Sequence, residues 1–248
     1  MLAIIGGSGL DTLPELRDAR GTPLDTPFGR SATLWRGRLA GTEVLFLARH
    51  DTGHRLPPHR INYRANIRAL ADAGARDVIA VAAVGGIAGH PPGSLAVPRQ
   101  IVDYTSGRDA TFFDGDGAAV THVDFTEPYA PALRAALLAA GRAASVALVD
   151  GGVYAAANGP RLETAAEIDR LERDGATMVG MTGMPEAALA REAGLAYAAL
   201  TLSINHAAGR GESVAGISHD ALLKVLGKGM RDVCAILEAV ARQRGTTT

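Results

Sequence analysis

The sequence predicts an α/β fold: one domain over residues 1–248, with a central mixed β-sheet flanked by helices. Three observations predict it. Short apolar runs of strand length alternate with segments whose apolar residues recur at helical spacing. Residues 27–50 hold two strand-like runs joined at Ala40–Gly41, and a hairpin there makes the sheet mixed rather than purely parallel. The polar residues concentrate just after the apolar runs, where open α/β sheets collect their ligands.

In chain order, residues 2–5 read as a buried strand ending on GGSG, and 44–48 (VLFLA) as a second ending on RHDTGH. NYRANIRALADA, 62–73, has the apolar spacing of a helix. Residues 78–84 (VIAVAAV) are a third strand, before GG, and 101–104 a fourth. A helix over 130–142 precedes a strand over 147–154, which runs into AAANGPRLET. A helix over 163–174, a strand over 178–180 and a helix opening at Pro185 and running to 193 follow. The last strand, 197–202, leads to INHAAG, and a long helix occupies 219–242.

Composition narrows the function. The chain is 47% hydrophobic and 21% charged, with 25 basic against 26 acidic residues and a net charge of −1. No basic stripe offers a footprint for nucleic acid. The single cysteine, Cys234, excludes an intramolecular disulfide, and its apolar helical setting reads as core. MLAIIGGSGL lacks the basic start of a signal peptide, and its apolar run is cut by Gly6, Gly7 and Gly9. No stretch approaches the ~18 apolar residues of a membrane span. The expectation is a cytoplasmic protein without a membrane partner.

The segments after the strands carry the chemistry. Gly-Gly-Ser8-Gly exposes backbone N–H groups and a hydroxyl, as an anion cradle does, but matches neither dinucleotide nor P-loop spacing. Arg49 presents a fork suited to phosphate, and His50 beside it can donate to the same oxygens. His50, His54 and His59 raise a zinc reading, but no acidic ligand stands at matching spacing and glycine and proline break any helix there, so no metal is expected. Glu163, after NGPRL, fits the first turn of a helix by charge. Thr182 ends a strand in a position to contact an anion.

Taken in order, IIGGSGL, LARH, NYRANI, GPRLETAAEI and VGMTGMPEAALAREAGLAYA resemble the nucleoside phosphorylase superfamily. The likeness is to its trimeric branch of purine nucleoside and methylthioadenosine phosphorylases, and it covers nearly the whole chain. The resemblance implies the nucleoside phosphorylase fold and attack of inorganic phosphate, a co-substrate, on the ribosyl C1′, with no metal or organic cofactor. It implies a phosphate site of Ser8, Arg49, His50, Thr182 and the backbone at Ala83, with His50 and Asn205 as the catalytic residues. Met181 would lie under the ribose, and Leu162 would replace a phenylalanine that packs on the base.

The resemblance also implies a base preference. Methylthioadenosine phosphorylases carry aspartates at the positions of Asn205 and Ala207 and a serine at Glu163. The set here is that of 6-oxopurine enzymes: Asn205 can donate toward O6 or N7, and Glu163 can accept N1–H. The 5′ end draws opposite signals. His219 occupies a position that is histidine in enzymes binding a 5′-hydroxyl and apolar in those binding a methylthio group. His122 matches a residue that, in the methylthio enzymes, reaches a neighbouring subunit's sugar pocket, which implies a homotrimer. Methylthioadenosine phosphorolysis, nucleoside hydrolysis and non-catalytic nucleoside binding are the alternatives.

Overall fold

The structure is a computed structural model and describes residues 1–51, 53–115 and 119–245. β1 (Leu2–Gly6) is followed by an antiparallel meander of β2 (Arg17–Thr26), β3 (Gly29–Leu39) and β4 (Thr42–Ala48). α1 (Tyr63–Asp72) returns the chain to the long β5 (Asp77–Gly86), and β6 (Leu95–Val97) and β7 (Gln100–Asp103) follow. Then come α2 (Pro131–Ala143), β8 (Leu148–Asp150), β9 (Val153–Ala156), α3 (Ala165–Arg173) and β10 (Met178–Gly180). α4 (Gly183–Glu192), β11 (Ala196–His206) and α5 (His219–Gly245) complete it.

One mixed sheet joins the strands in the order β2-β3-β4-β1-β5-β10-β9-β7, with β11 along the other side of β5 and leading to β6 and β8. Side-chain alternation sorts the core into two layers. Ala3 and Ile5 of β1, Leu45 and Leu47 of β4, and Val78, Ala80 and Ala82 of β5 face α1 and α4. Leu2, Ile4, Val44, Phe46, Ile79 and Val81 face α2 and α5. Helices on both faces explain why these strands read as continuous apolar runs. Cys234 packs at the margin of the second layer, half-buried, where burial pushes its thiol up to about 12.

The structure departs from the sequence reading at four places. β2 and β6 are additional: β2 is exposed along most of its length and shows no alternation, and β6 has three residues. The run over 147–154 is two strands, because Gly151 and Gly152 take φ of 117° and 99° and turn the chain between β8 and β9. β11 runs past residue 202 to include Asn205, with a bulge between Ser203 and Asn205 in its pairing to β5. The helix expected from Glu163 begins at Ala165, because Thr164 is its N-cap in a capping box: Thr164 Oγ1 accepts from the Glu167 N–H (3.1 Å) and Glu167 Oε2 from the Thr164 N–H (2.7 Å). Glu167 therefore fills the helix-start role, and its pairing with Arg161 holds its carboxyl down at about 2. Glu163 is left outside the helix.

The pairing of β5 prepares the site. Along one edge, β1 covers residues 77–80 and β10 covers Gly85 and Gly86, so neither pairs with 81–84. Because β10 runs antiparallel to β5, its carboxyl end points back at this gap. The carboxyl ends of β1, β4 and β10 thereby converge on one short stretch of exposed β5 backbone.

Candidate active site

A cavity of about 390 Å³ opens at that convergence, within the range of small-molecule sites. Ser8, Arg49, His50, Ala83, Leu162, Glu163, Met181, Thr182, Asn205 and Ala207 all line it. His219 and His122 do not. His219 is exposed at the start of α5, and the side chains lining the cavity from that region are Ile217 and Leu222. His122 lies in an exposed stretch.

At the inner end Arg49 is 1% exposed, and its fork is engaged by the protein itself. Nε and Nη2 donate to the two Glu186 oxygens at 2.9 and 3.0 Å, and Nη1 donates to the Val81 carbonyl at 2.7 Å. The expectation of a free fork for phosphate is thus corrected: two N–H bonds remain, one on each Nη. Burial opposes the arginine's charge, and the Glu186 carboxylate overrides it, raising the pKa. Glu186 also accepts from the Tyr197 hydroxyl (2.8 Å). The helix expected to open at Pro185 carries Glu186 in its first turn, and nothing in the sequence pairs it with Arg49, 137 positions away.

Two glycines make the room. A Cβ on Gly7 would lie 2.5 Å from the Val81 oxygen and 2.6 Å from Arg49 Nη1. One on Gly180 would lie 2.2 Å from the Tyr154 hydroxyl, which accepts from the Thr182 N–H at 3.3 Å. Since Val81 turns its carbonyl to the gap, alternation along β5 turns the Ala83 amide to the same edge. Ser8, the Ala83 amide and Thr182, at the start of α4, form a polar cradle suited to an oxyanion.

His50 is 4% exposed, and its Nδ1 lies 2.8 Å from the Leu56 carbonyl. A carbonyl only accepts, so Nδ1 carries the proton. Burial and the Arg49 charge hold the imidazole down at about 4. In the ligand-free protein His50 is therefore neutral at physiological pH, with a lone pair on Nε2. The His54 ring stacks on it with centroids 4.1 Å apart. Among the described residues, no group of three or more His, Cys, Asp and Glu stands close enough to hold a metal.

The outer end is built from loops. Asn205 follows the bulge in β11, and its Nδ2 donates to the His206 carbonyl (2.6 Å), leaving one N–H and the oxygen. Glu163 is half-buried, and that burial raises its carboxyl above the ordinary value. Leu162 is 48% exposed.

Comparison with known proteins agrees with this geometry. The family model described as "Phosphorylase superfamily" matches residues 1–242. A probable S-methyl-5′-thioinosine phosphorylase of Pseudomonas syringae pv. tomato is 54% identical over 96% of this chain and 97% of its own length. A 6-oxopurine nucleoside phosphorylase of Pyrococcus furiosus is 41% identical over 96% and 91%. Among solved structures, a methylthioadenosine phosphorylase from Schistosoma mansoni in complex with adenine superposes with a TM-score of 0.93, at 31% identity, over 99% of this chain and 91% of that one. With the motif order, the sheet and the cavity in agreement, the chain belongs to the phosphorylase superfamily.

Proposed function

We propose that this protein cleaves the N-glycosidic bond of 6-oxopurine nucleosides with inorganic phosphate, giving the free purine and a pentose 1-phosphate. The observation that carries the reading is the cavity's polarity: an oxyanion cradle at its inner end, and Glu163 with Asn205 at its outer end. Phosphate rests against Ser8, the Ala83 amide, Thr182 and the remaining Arg49 N–H bonds, with His50 Nε2 accepting a hydrogen bond from the phosphate's own P–OH. A phosphate oxygen bonds to C1′ as the C1′–N9 bond breaks, and the electron pair passes into the purine, which leaves as an anion and takes its proton at N7 from solvent water. Asn205 steadies the charge developing at N7 and O6, while a Glu163 carboxyl oxygen accepts N1–H. Catalysis is positioning and charge stabilisation; it needs no enzyme nucleophile and no cofactor.

S-methyl-5′-thioinosine is the substrate we favour. Ile217 and Leu222 give the cavity apolar groups where His219 was expected, and the name of the Pseudomonas relative points the same way. A homotrimer in the cytoplasm completes the reading, with His122 of each chain reaching the neighbour's sugar. The exposure of Leu162 at the mouth supports such a partner. Methylthioadenosine is the second reading, favoured by the Schistosoma structure and opposed by Asn205, Ala207 and Glu163.

The test is cleavage of S-methyl-5′-thioinosine and inosine with and without phosphate. Equal rates in phosphate-free buffer would make the protein a hydrolase. Asn205→Asp is expected to lower kcat/KM on 6-oxopurine nucleosides about a hundredfold, from a mispaired buried group. Unchanged base selectivity would remove Asn205 from the base site.

A further inference from the structure

We propose that Arg108 is the positioning residue of this site, a single guanidinium that sets the spacing of the loops around the cavity. The proposal rests on the phosphorolytic reading above. Arg108 does not itself line the cavity.

Its bonds diverge to three segments that do. Nη2 donates to the carbonyls of Asn158 (2.9 Å) and Ala157 (3.5 Å), at the root of the loop that carries Leu162 and Glu163. Nη1 donates to the Met184 carbonyl (2.6 Å), directly after Met181–Thr182–Gly183. Nη1 also donates to the Tyr63 hydroxyl (3.2 Å), and the guanidinium carbon lies 5.4 Å from the centre of that ring. The Tyr63 hydroxyl in turn donates to the Pro58 carbonyl (3.0 Å), two residues past Leu56, whose carbonyl fixes the tautomer of His50. The base loop, the ribose–phosphate loop and the His50 loop therefore meet at one side chain.

The chemistry requires an arginine. Carbonyls lying in different directions must be reached from one plane, and a guanidinium offers five donors in a rigid fork. An ammonium is a point donor on a flexible stem and cannot span the same partners. At Met184 the backbone is extended (φ −121°, ψ 142°), outside the helical ladder of α4, so its carbonyl is available to the fork. Loops held this way keep nucleophile and base at a set separation, and misplacement by about 1 Å costs on the order of a hundredfold in rate.

Arg108→Ala, Arg108→Lys and Tyr63→Phe test it by steady-state kinetics well below Tm and by hydrogen exchange on the ligand-free protein. In Arg108→Ala, kcat/KM is expected to fall about a hundredfold, with KM for phosphate and nucleoside rising together. Amide exchange should quicken at least about tenfold both in 157–163 and in 182–185. Arg108→Lys should fail to restore either property. Tyr63→Phe should raise KM for phosphate several-fold and leave that for nucleoside unchanged.

A lowered Tm with unchanged kinetics would make Arg108 merely structural and overturn the proposal. So would faster exchange in one loop alone, or a lysine variant within twofold of wild type. If Arg108→Ala fails to fold, the lysine and phenylalanine variants still decide. If the wild-type protein shows no phosphate-dependent cleavage, the functional reading falls, while the exchange data continue to judge Arg108.

Discussion

The two ends of the cavity are built differently. At the inner end Arg49, Glu186 and Tyr197 are buried and linked through the Glu186 carboxylate, and Arg49 holds the Val81 carbonyl of β5 at the centre of the sheet. At the outer end Leu162, Glu163, Ile217 and Leu222 stand on loops or a helix start, half-buried or exposed. An oxyanion is the same in every reaction of this kind, so its site can be fixed by the core. In the proposed reading the nucleoside is the part that varies, and the groups assigned to it sit where substitution disturbs little packing.

The contrast breaks most directly at Glu186. Glu186→Ala would strand the Arg49 charge in the interior and should cost about 3–5 kcal/mol, read from urea unfolding. A loss below about 1 kcal/mol would mean that the inner end is not held by this pair. His50 probes the same end by pH. Its pKa is depressed from 6.5 to about 4 in the folded protein, so the stability it contributes is complete above pH 6.5 and is lost as pH falls toward 4. The span amounts to roughly 3 kcal/mol, and His50→Gln should flatten the Tm–pH curve in that window. An unchanged curve would show that His50 does not carry it.

The outer end should respond in specificity rather than stability. Leu222→Ser is expected to lower the preference for 5′-methylthio over 5′-hydroxyl nucleosides about tenfold, with Tm nearly constant. His219→Met, at an exposed position, should change that ratio less than about twofold. A larger shift for His219 than for Leu222 would return the histidine to the sugar pocket.

What the sequence made legible follows the same division. The buried strands announced themselves, because packing on both faces leaves uninterrupted apolar runs. β2 left no such mark: its exposed residues, RDARGTPLDT, owe their strand to pairing with β3. Motif order placed ten of the expected residues around one cavity. It could not tell which hydrogen bonds each makes. Arg49 has the residue type for phosphate, and only the folded chain brings Glu186 to its fork. Glu163 and Glu167 are equivalent as acids near a helix start, but the Thr164-x-x-Glu167 spacing was the available signal for which one caps it. The place of His219 depended on a register near a helix start, where no periodic pattern fixes it.

The bulge in β11 has a consequence for how such a site changes over time. A strand presents its side chains by parity, and one extra residue exchanges the faces of everything beyond it. Because the ladder slips between Ser203 and Asn205, Asn205 stands opposite Gly85 and His206 opposite Gly86. Loss or gain of one residue at Ile204 would leave the cradle at Ser8 and Thr182 untouched while turning a different side chain into the cavity. Substrate choice in this fold is thus open to revision by counting as well as by substitution.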